Sequence, residues 1–237
     1  MDSLNSNIWK DIRGKLKNFL VVRPQREELI QRGYLKNEPV FGSTLKILAE
    51  TDQSLVPAFL IKCVNKIESK TEFLKTEGIY RIPGNLSTIQ RIRFEVDHGN
   101  YSLLETTNDP YILCGALKTF FRELQEPLVS WIIIEKLIPA VKMTDDEAKK
   151  KSVKEIVKTL PPTHYETLIY LIKHLKKVSS YHEDNKMADV NLAVVFGPSL
   201  TWPPFELTSH NFASNLVQQN LVIEMIISYF TFSDVSY

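Results

Sequence analysis

The sequence predicts an all-α protein, a single globular helical domain behind an N-terminal helical extension. Apolar residues recur at three- and four-residue spacing in nearly every segment, and alternation with period two is hard to find. The length of 237 residues allows one large core and leaves little for a second. The extension is expected over residues 1–39 and the domain over residues 40–232.

In the extension, Ile8, Ile12, Leu16, Phe19 and Leu20 share one side of a helix that also carries Lys10, Arg13, Lys15 and Lys17. A basic amphipathic helix of this kind lies on an anionic membrane or docks on its own domain, and both readings stand open. Val56, Phe59, Leu60, Cys63, Val64 and Ile67 then form a one-sided stripe beside Pro57, a residue suited to a first turn, and predict a core helix. From Asp109 to Leu124, Ile112, Leu113, Ala116, Leu117, Phe120, Phe121 and Leu124 cover one half of a helical wheel and are expected to be buried.

Thr144 with Glu147, and Thr163 with Glu166, read as capping boxes that open two later helices. In the first, Asp145 and Asp146 precede Lys149, Lys150, Lys151 and Lys154, the charge order that complements a helix dipole, and those lysines read as a solvated face. The second opens a stripe of Leu168, Leu171, Ile172, Leu175 and Val178. A short apolar helix from Asn191 to Phe196 is expected to stop at Gly197-Pro198. The last helix runs from near Phe212 to Tyr229. Loops are expected at Thr71–Thr76, Gly99–Asn108 and Ser179–Asn185, and across Trp202-Pro203-Pro204-Phe205.

Composition narrows the function. Hydrophobic residues at 43% and charged residues at 24% fit an ordinary globular protein rather than a disordered or disulfide-built one. A net charge of +1, from Lys+Arg 29 against Asp+Glu 28, lends nothing to a nucleic-acid partner, so any basic site must be local. Cys63 and Cys114 make neither a disulfide framework nor a metal site, and a reducing, cytoplasmic setting is expected. No apolar leader core opens the chain, and no run approaches the roughly 18–20 apolar residues that span a bilayer. Phosphate-loop, dinucleotide and zincin motifs are missing, and His98, His164, His174, His182 and His210 are scattered, read as surface or packing residues. Nothing here makes a complete active site, and the remaining signals are basic.

Three features carry those signals. Lys118 and Arg122 project opposite the buried stripe, one turn apart, and read either as a solvated basic face or as a surface that meets an anion. Gly78 and Gly84, with Pro83, bracket Arg81 in a stiff turn; Arg81 is either a structural ion-pair partner or a presented functional group. Asn191 sits on the short apolar helix and needs a partner there.

The run G-I-Y-R-x-x-G from Gly78, the run G-A-L-K-x-x-F-R-E-L-x-E-P-L from Gly115 to Leu128, and N-K-M-x-x-x-N-L-A-V-V-F-G-P from Asn185 to Pro198 together resemble a Rho GTPase-activating (RhoGAP) domain, over roughly Val40 to Tyr229. Leu160 to Leu168 is also similar to the chimaerin branch. The resemblance implies about nine helices and a GTP-bound Rho-family GTPase as partner, Rac favoured. It makes Arg81 the arginine finger, on the loop before a helix holding Leu86 to Phe94. Lys118, Arg122 and Asn191 become residues that contact the GTPase and steady the finger, with Asn220 a further contact. No cofactor of its own is implied, since GTP and magnesium are held by the GTPase. Gln125 replaces a common Pro and Pro83 a common Ser, and activity is expected to survive both. The rival readings are a GTPase-binding scaffold without activity, usually marked by a missing finger, and a membrane-surface module led by the N-terminal helix.

Overall fold

The computed structural model describes Gln31, residues 38–202 and residues 212–230. By its internal contacts the chain divides into two units, residues 1–36 with 203–215, and residues 37–202 with 216–237. Every side chain discussed below belongs to the second unit. The expected basic helix of the extension and the Pro203-Pro204-Phe205 loop lie outside the described residues.

Among the described residues there are helices and no strands. In chain order they are α1 Leu45–Asp52, α2 Ala58–Glu68, α3 Thr71–Leu74, α4 Leu86–Asp97, α5 Ser102–Thr106, α6 Pro110–Glu123, α7 Trp131–Val141, α8 Asp146–Val157, α9 Pro162–Ser179, α10 His182–Asn185, α11 Asp189–Leu200 and α12 Phe212–Tyr229. The three shortest, α3, α5 and α10, occupy stretches expected to be loops. Isolated helices this short are unstable, and these are held by burial of Phe73 and Leu74, of Leu104, and of Asn185. Four or five residues are too few for periodicity to register.

α6 is the central helix, packed against α2, α4 and α11, with α9 against α1 and α11, and α7 against α8. All seven residues of its expected stripe are buried. Asp109 caps its start, accepting from the Tyr111 N–H at 2.8 Å, and Pro110 takes the first turn, where a missing N–H costs nothing. Phe120 meets Phe59 and Phe41 at ring-centroid distances of 5.1 and 5.8 Å, and Phe41 meets Phe59 edge-on at 4.9 Å. Asp97, at the end of α4, holds the chain entering this cluster by accepting from the backbone N–H groups of Val40 and Phe41, each at 2.9 Å.

Three expected boundaries are corrected. Asp145, one residue after Thr144, caps α8, accepting from Glu147 N and Ala148 N at 3.1 and 3.2 Å; a carboxylate is the stronger acceptor at a helix start. Thr163 lies inside the first turn of α9, which opens at Pro162 without a side-chain cap. α11 does not stop at Gly197-Pro198 but continues to Leu200. Pro198 forfeits a helical hydrogen bond, and distant chain secures the end instead. Val129 N donates to Leu200 O at 2.9 Å, Arg122 Nε to Ser199 Oγ at 3.0 Å, and Gln219 Nε2 to Thr201 O at 3.2 Å.

Candidate functional site: the Arg81 turn and its supports

The turn from Glu77 to Gly84 is fixed at several points. Gly78 has φ +68°, open to glycine at little cost, and its N–H donates to Asn185 O at 2.8 Å. Its carbonyl accepts from Arg81 N and Ile82 N at 2.9 and 2.8 Å, closing the turn. At the far end, a Cβ on Gly84 would stand 2.5 Å from Tyr111 O, so the chain presses directly on the first turn of α6. The Tyr111 hydroxyl donates back to Glu77 O at 2.9 Å. Arg81 is exposed at the tip, and among the described residues no side-chain partner holds its guanidinium. The ion-pair reading of Arg81 therefore has no support within this unit.

Tyr80, next to it, is a non-glycine residue with φ +68°, a conformation that costs of order 1–2 kcal/mol. It is fully buried, its ring 4.9 Å from that of Phe196. Its carbonyl accepts a hydrogen bond from Lys118 Nζ. Lys118 is thus only half exposed, turned back toward the turn rather than standing free on an open face. Burial, with the Arg122 charge adding to it and Cys114 opposing, pushes its ammonium below its ordinary value.

Arg122 is exposed but tethered to Ser199 on α11, and burial lowers its guanidinium as well. Asn191, exposed at the start of α11, donates from Nδ2 to Lys186 O at 2.8 Å. Asn220, on α12, turns its Oδ1 inward with no hydrogen-bond partner among the described residues, and a Cβ on Gly197 would stand 2.5 Å from that oxygen. Lys118 is therefore joined to the Arg81 turn directly, Arg122 and Asn220 meet α11, and Asn191 lies on it.

Sequence reasoning missed the residues beneath the turn. Asn185, fully buried, donates to Leu74 O and Val178 O at 2.8 Å each and accepts Met187 N at 2.7 Å, so the carbonyl that receives Gly78 N is rigidly placed. His174 on α9 and Glu68 on α2 reach the Tyr80 hydroxyl in series. The N-K-M run was visible, but hydrogen bonds that join Tyr80 to His174 and His174 to Glu68 across 94 and 106 positions leave no local signal. Among the described residues no cluster of His, Cys, Asp or Glu suits a metal ion, and no helix is long and apolar enough to cross a membrane.

The RhoGAP domain family model matches residues 57–205, which include the Arg81 turn, α6 and α11. The chain belongs to the RhoGAP domain family. It is 39% identical to Rho GTPase-activating protein 27 from Homo sapiens over 94% of its own length, and 37% identical to Rho GTPase-activating protein 15 from Gallus gallus, again over 94%. It spans 25% and 46% of those relatives' lengths. The crystal structure of human Rho GTPase activating protein 15 superposes with a TM-score of 0.73 at 36% identity, covering 87% of this chain and 97% of that one. The BH domain from GRAF, described as the GTPase regulator associated with focal adhesion kinase, gives a TM-score of 0.60 at 29% identity, over 72% of this chain and 90% of that one. A RhoGAP fold for this chain follows from sequence and structure together.

Proposed function

We propose that this RhoGAP domain accelerates GTP hydrolysis by a Rho-family small GTPase in the cytoplasm, and that Arg81 is the group it supplies. The observation that carries the reading is an exposed arginine without a side-chain partner among the described residues, on a turn whose neighbouring residue is held in a costly conformation by Lys118. GTP hydrolysis concentrates negative charge on the transferring phosphoryl group and the leaving oxygen. A desolvated guanidinium offers that charge fixed planar donors, which a lysine cannot match. Arginines supplied in trans in such reactions are worth about 10³ to 10⁵ in rate, a general magnitude for the class, or roughly 4–7 kcal/mol of barrier.

Arg122, Asn191 and Asn220 would meet the GTPase around the turn, while Lys118 supports the turn from behind. GTP and magnesium would belong to the GTPase. The likeness of Leu160 to Leu168 to the chimaerin branch favours Rac as the first substrate to try. Single-turnover phosphate release from GTP-loaded Rac, Rho and their cell-division-cycle relative tests the proposal. Wild type is expected to accelerate at least one of them, and Arg81→Ala to lose about 10³-fold or more of that acceleration while still binding. No acceleration across the panel at saturating protein would leave a GTPase-binding scaffold as the better account.

A further inference from the structure

Tyr80 is held at both ends of its side chain and backbone. Lys118 takes the carbonyl, and the phenol hydroxyl lies 2.6 Å from His174 Nε2. His174 Nδ1 lies 2.7 Å from Glu68 Oε1, and the other carboxylate oxygen accepts from Lys177 Nζ at 2.6 Å. Burial alone would raise the Glu68 carboxyl, but the hydrogen bonds and charges of His174 and Lys177 outweigh it and hold it below its ordinary value. An ionised Glu68 accepts only, so Nδ1 carries the proton. Nε2, on the other side of the ring, is the nitrogen that meets the Tyr80 hydroxyl.

The series runs from Tyr80 to His174 to Glu68, with α9 and α2 as its anchors. A buried tyrosine in a left-handed conformation needs over-determination to persist, and this series supplies the half that Lys118 does not. Arg81 is the next residue, so any relaxation of Tyr80 changes the direction in which its guanidinium leaves the turn.

We infer that His174 and Glu68 are positioning residues for Arg81, acting through the hydroxyl of Tyr80 to hold the turn in its GTPase-ready shape. The inference rests on the proposed role of Arg81 and adds to it what aims that residue. Nothing in it requires these side chains to touch the GTPase. Their loss therefore lowers the rate at saturation and leaves affinity for the GTP-loaded partner largely intact.

The experiment uses single-turnover phosphate release at saturating protein, together with the Kd for the same GTPase, on the panel member that wild type accelerates most. Tyr80→Phe keeps the ring against Phe196 and removes only the hydroxyl. It is expected to lower the saturating rate by about 10- to 100-fold, the scale of a small misplacement of a reacting group, with Kd within about threefold. In an Arg81→Ala background the same change is expected to cost nothing further, since two residues acting as one unit are not additive.

His174→Asn and His174→Gln give a second route should Tyr80→Phe fold poorly. An Asn amide reaches the Nδ1 position and keeps Glu68, but strands the tyrosine hydroxyl. A Gln amide reaches the Nε2 position and hydrogen-bonds to the hydroxyl with either its oxygen or its nitrogen. His174→Gln is expected to recover most of the rate that His174→Asn loses. An unchanged saturating rate in folded Tyr80→Phe, an equal loss with and without Arg81, or equal rates in the two His174 variants overturns the inference. If Arg81→Ala itself retains full activity, the Arg81 reading fails and takes the inference with it. If Arg81→Ala is inactive and the other variants are not, only the inference fails.

Discussion

Lys118 crosses from the exposed side of α6 to the carbonyl of Tyr80, against the cost that burial and the neighbouring Arg122 place on its charge. A cation kept in such a place gains only if its acceptor is worth fixing. Lys118→Met preserves most of the aliphatic stem and removes the charged donor. It is expected to lower the saturating rate of GTP hydrolysis about 10- to 100-fold with a smaller change in the Kd for the GTP-loaded partner, measured by titration. Equal loss in both would make Lys118 a contact residue rather than a support. The helical wheel made the angle of Lys118 legible, but not where a four-carbon stem places its ammonium, because long side chains fold back along apolar surface. Arg81 was legible for a different reason: the glycines that shape its turn sit beside it in sequence. Tyr80, His174 and Glu68 were not, since their hydrogen bonds join residues 94 and 106 positions apart. Nor did the sequence show that Asn220 turns its Oδ1 toward Gly197.

At the scale of elements, the seam between the Arg81 turn and α6 makes a sharp prediction. A methyl at Gly84 would meet backbone atoms Tyr111 O, Tyr111 C and Ile112 N at 2.5–2.7 Å, none of which belongs to a flexible side chain. Gly84→Ala is expected to cost about 1–3 kcal/mol and to lower activity with stability, because the helix that carries Lys118 and the turn that carries Arg81 are pried apart. Gly99→Ala is the control. Its φ of +77° imposes strain, yet nothing lies within 4 Å of the new methyl. It should cost about 1–2 kcal/mol and leave the saturating rate unchanged, as read by urea unfolding and phosphate release. Element boundaries followed the same division between near and far causes. α6 and α12 begin and end where their own residues indicate. α11 overruns Gly197-Pro198 because Val129, Arg122 and Gln219 come from elsewhere to hold its end. α3, α5 and α10 exist because the core buries them.

For the molecule as a whole, net charge offered no clue to function, because a balanced total of +1 says nothing of where single cations stand. Charge does decide how the fold responds to acid. His164, in the first turn of α9, is buried, and burial pushes its imidazole below the ordinary value, Glu126 at 3.5 Å opposing. The unfolded chain, with a histidine pKa near about 6.5, therefore binds the proton more readily than the native one. Stability is full above that pH and falls as pH drops through it toward the native value. Glu68, held low, has the same sign in a lower window: its contribution is present above about pH 4.3 and is lost as pH falls through its native value. Asp97 has the opposite sign, since burial outweighs its two backbone hydrogen bonds and raises its carboxyl, so stability grows as pH falls through that value. The ordinary carboxylate range lies near about pH 4 and the ordinary histidine value near about 6.5, so the interval from about pH 7.5 to 5.5 is where His164 is tested. Urea midpoints taken across that interval are expected to fall with acid in the wild type and to fall less in His164→Gln, whose amide cannot take up a proton. Parallel curves for the two proteins would mean that His164 carries its charge in the native state as easily as in the unfolded one, with Glu126 offsetting burial.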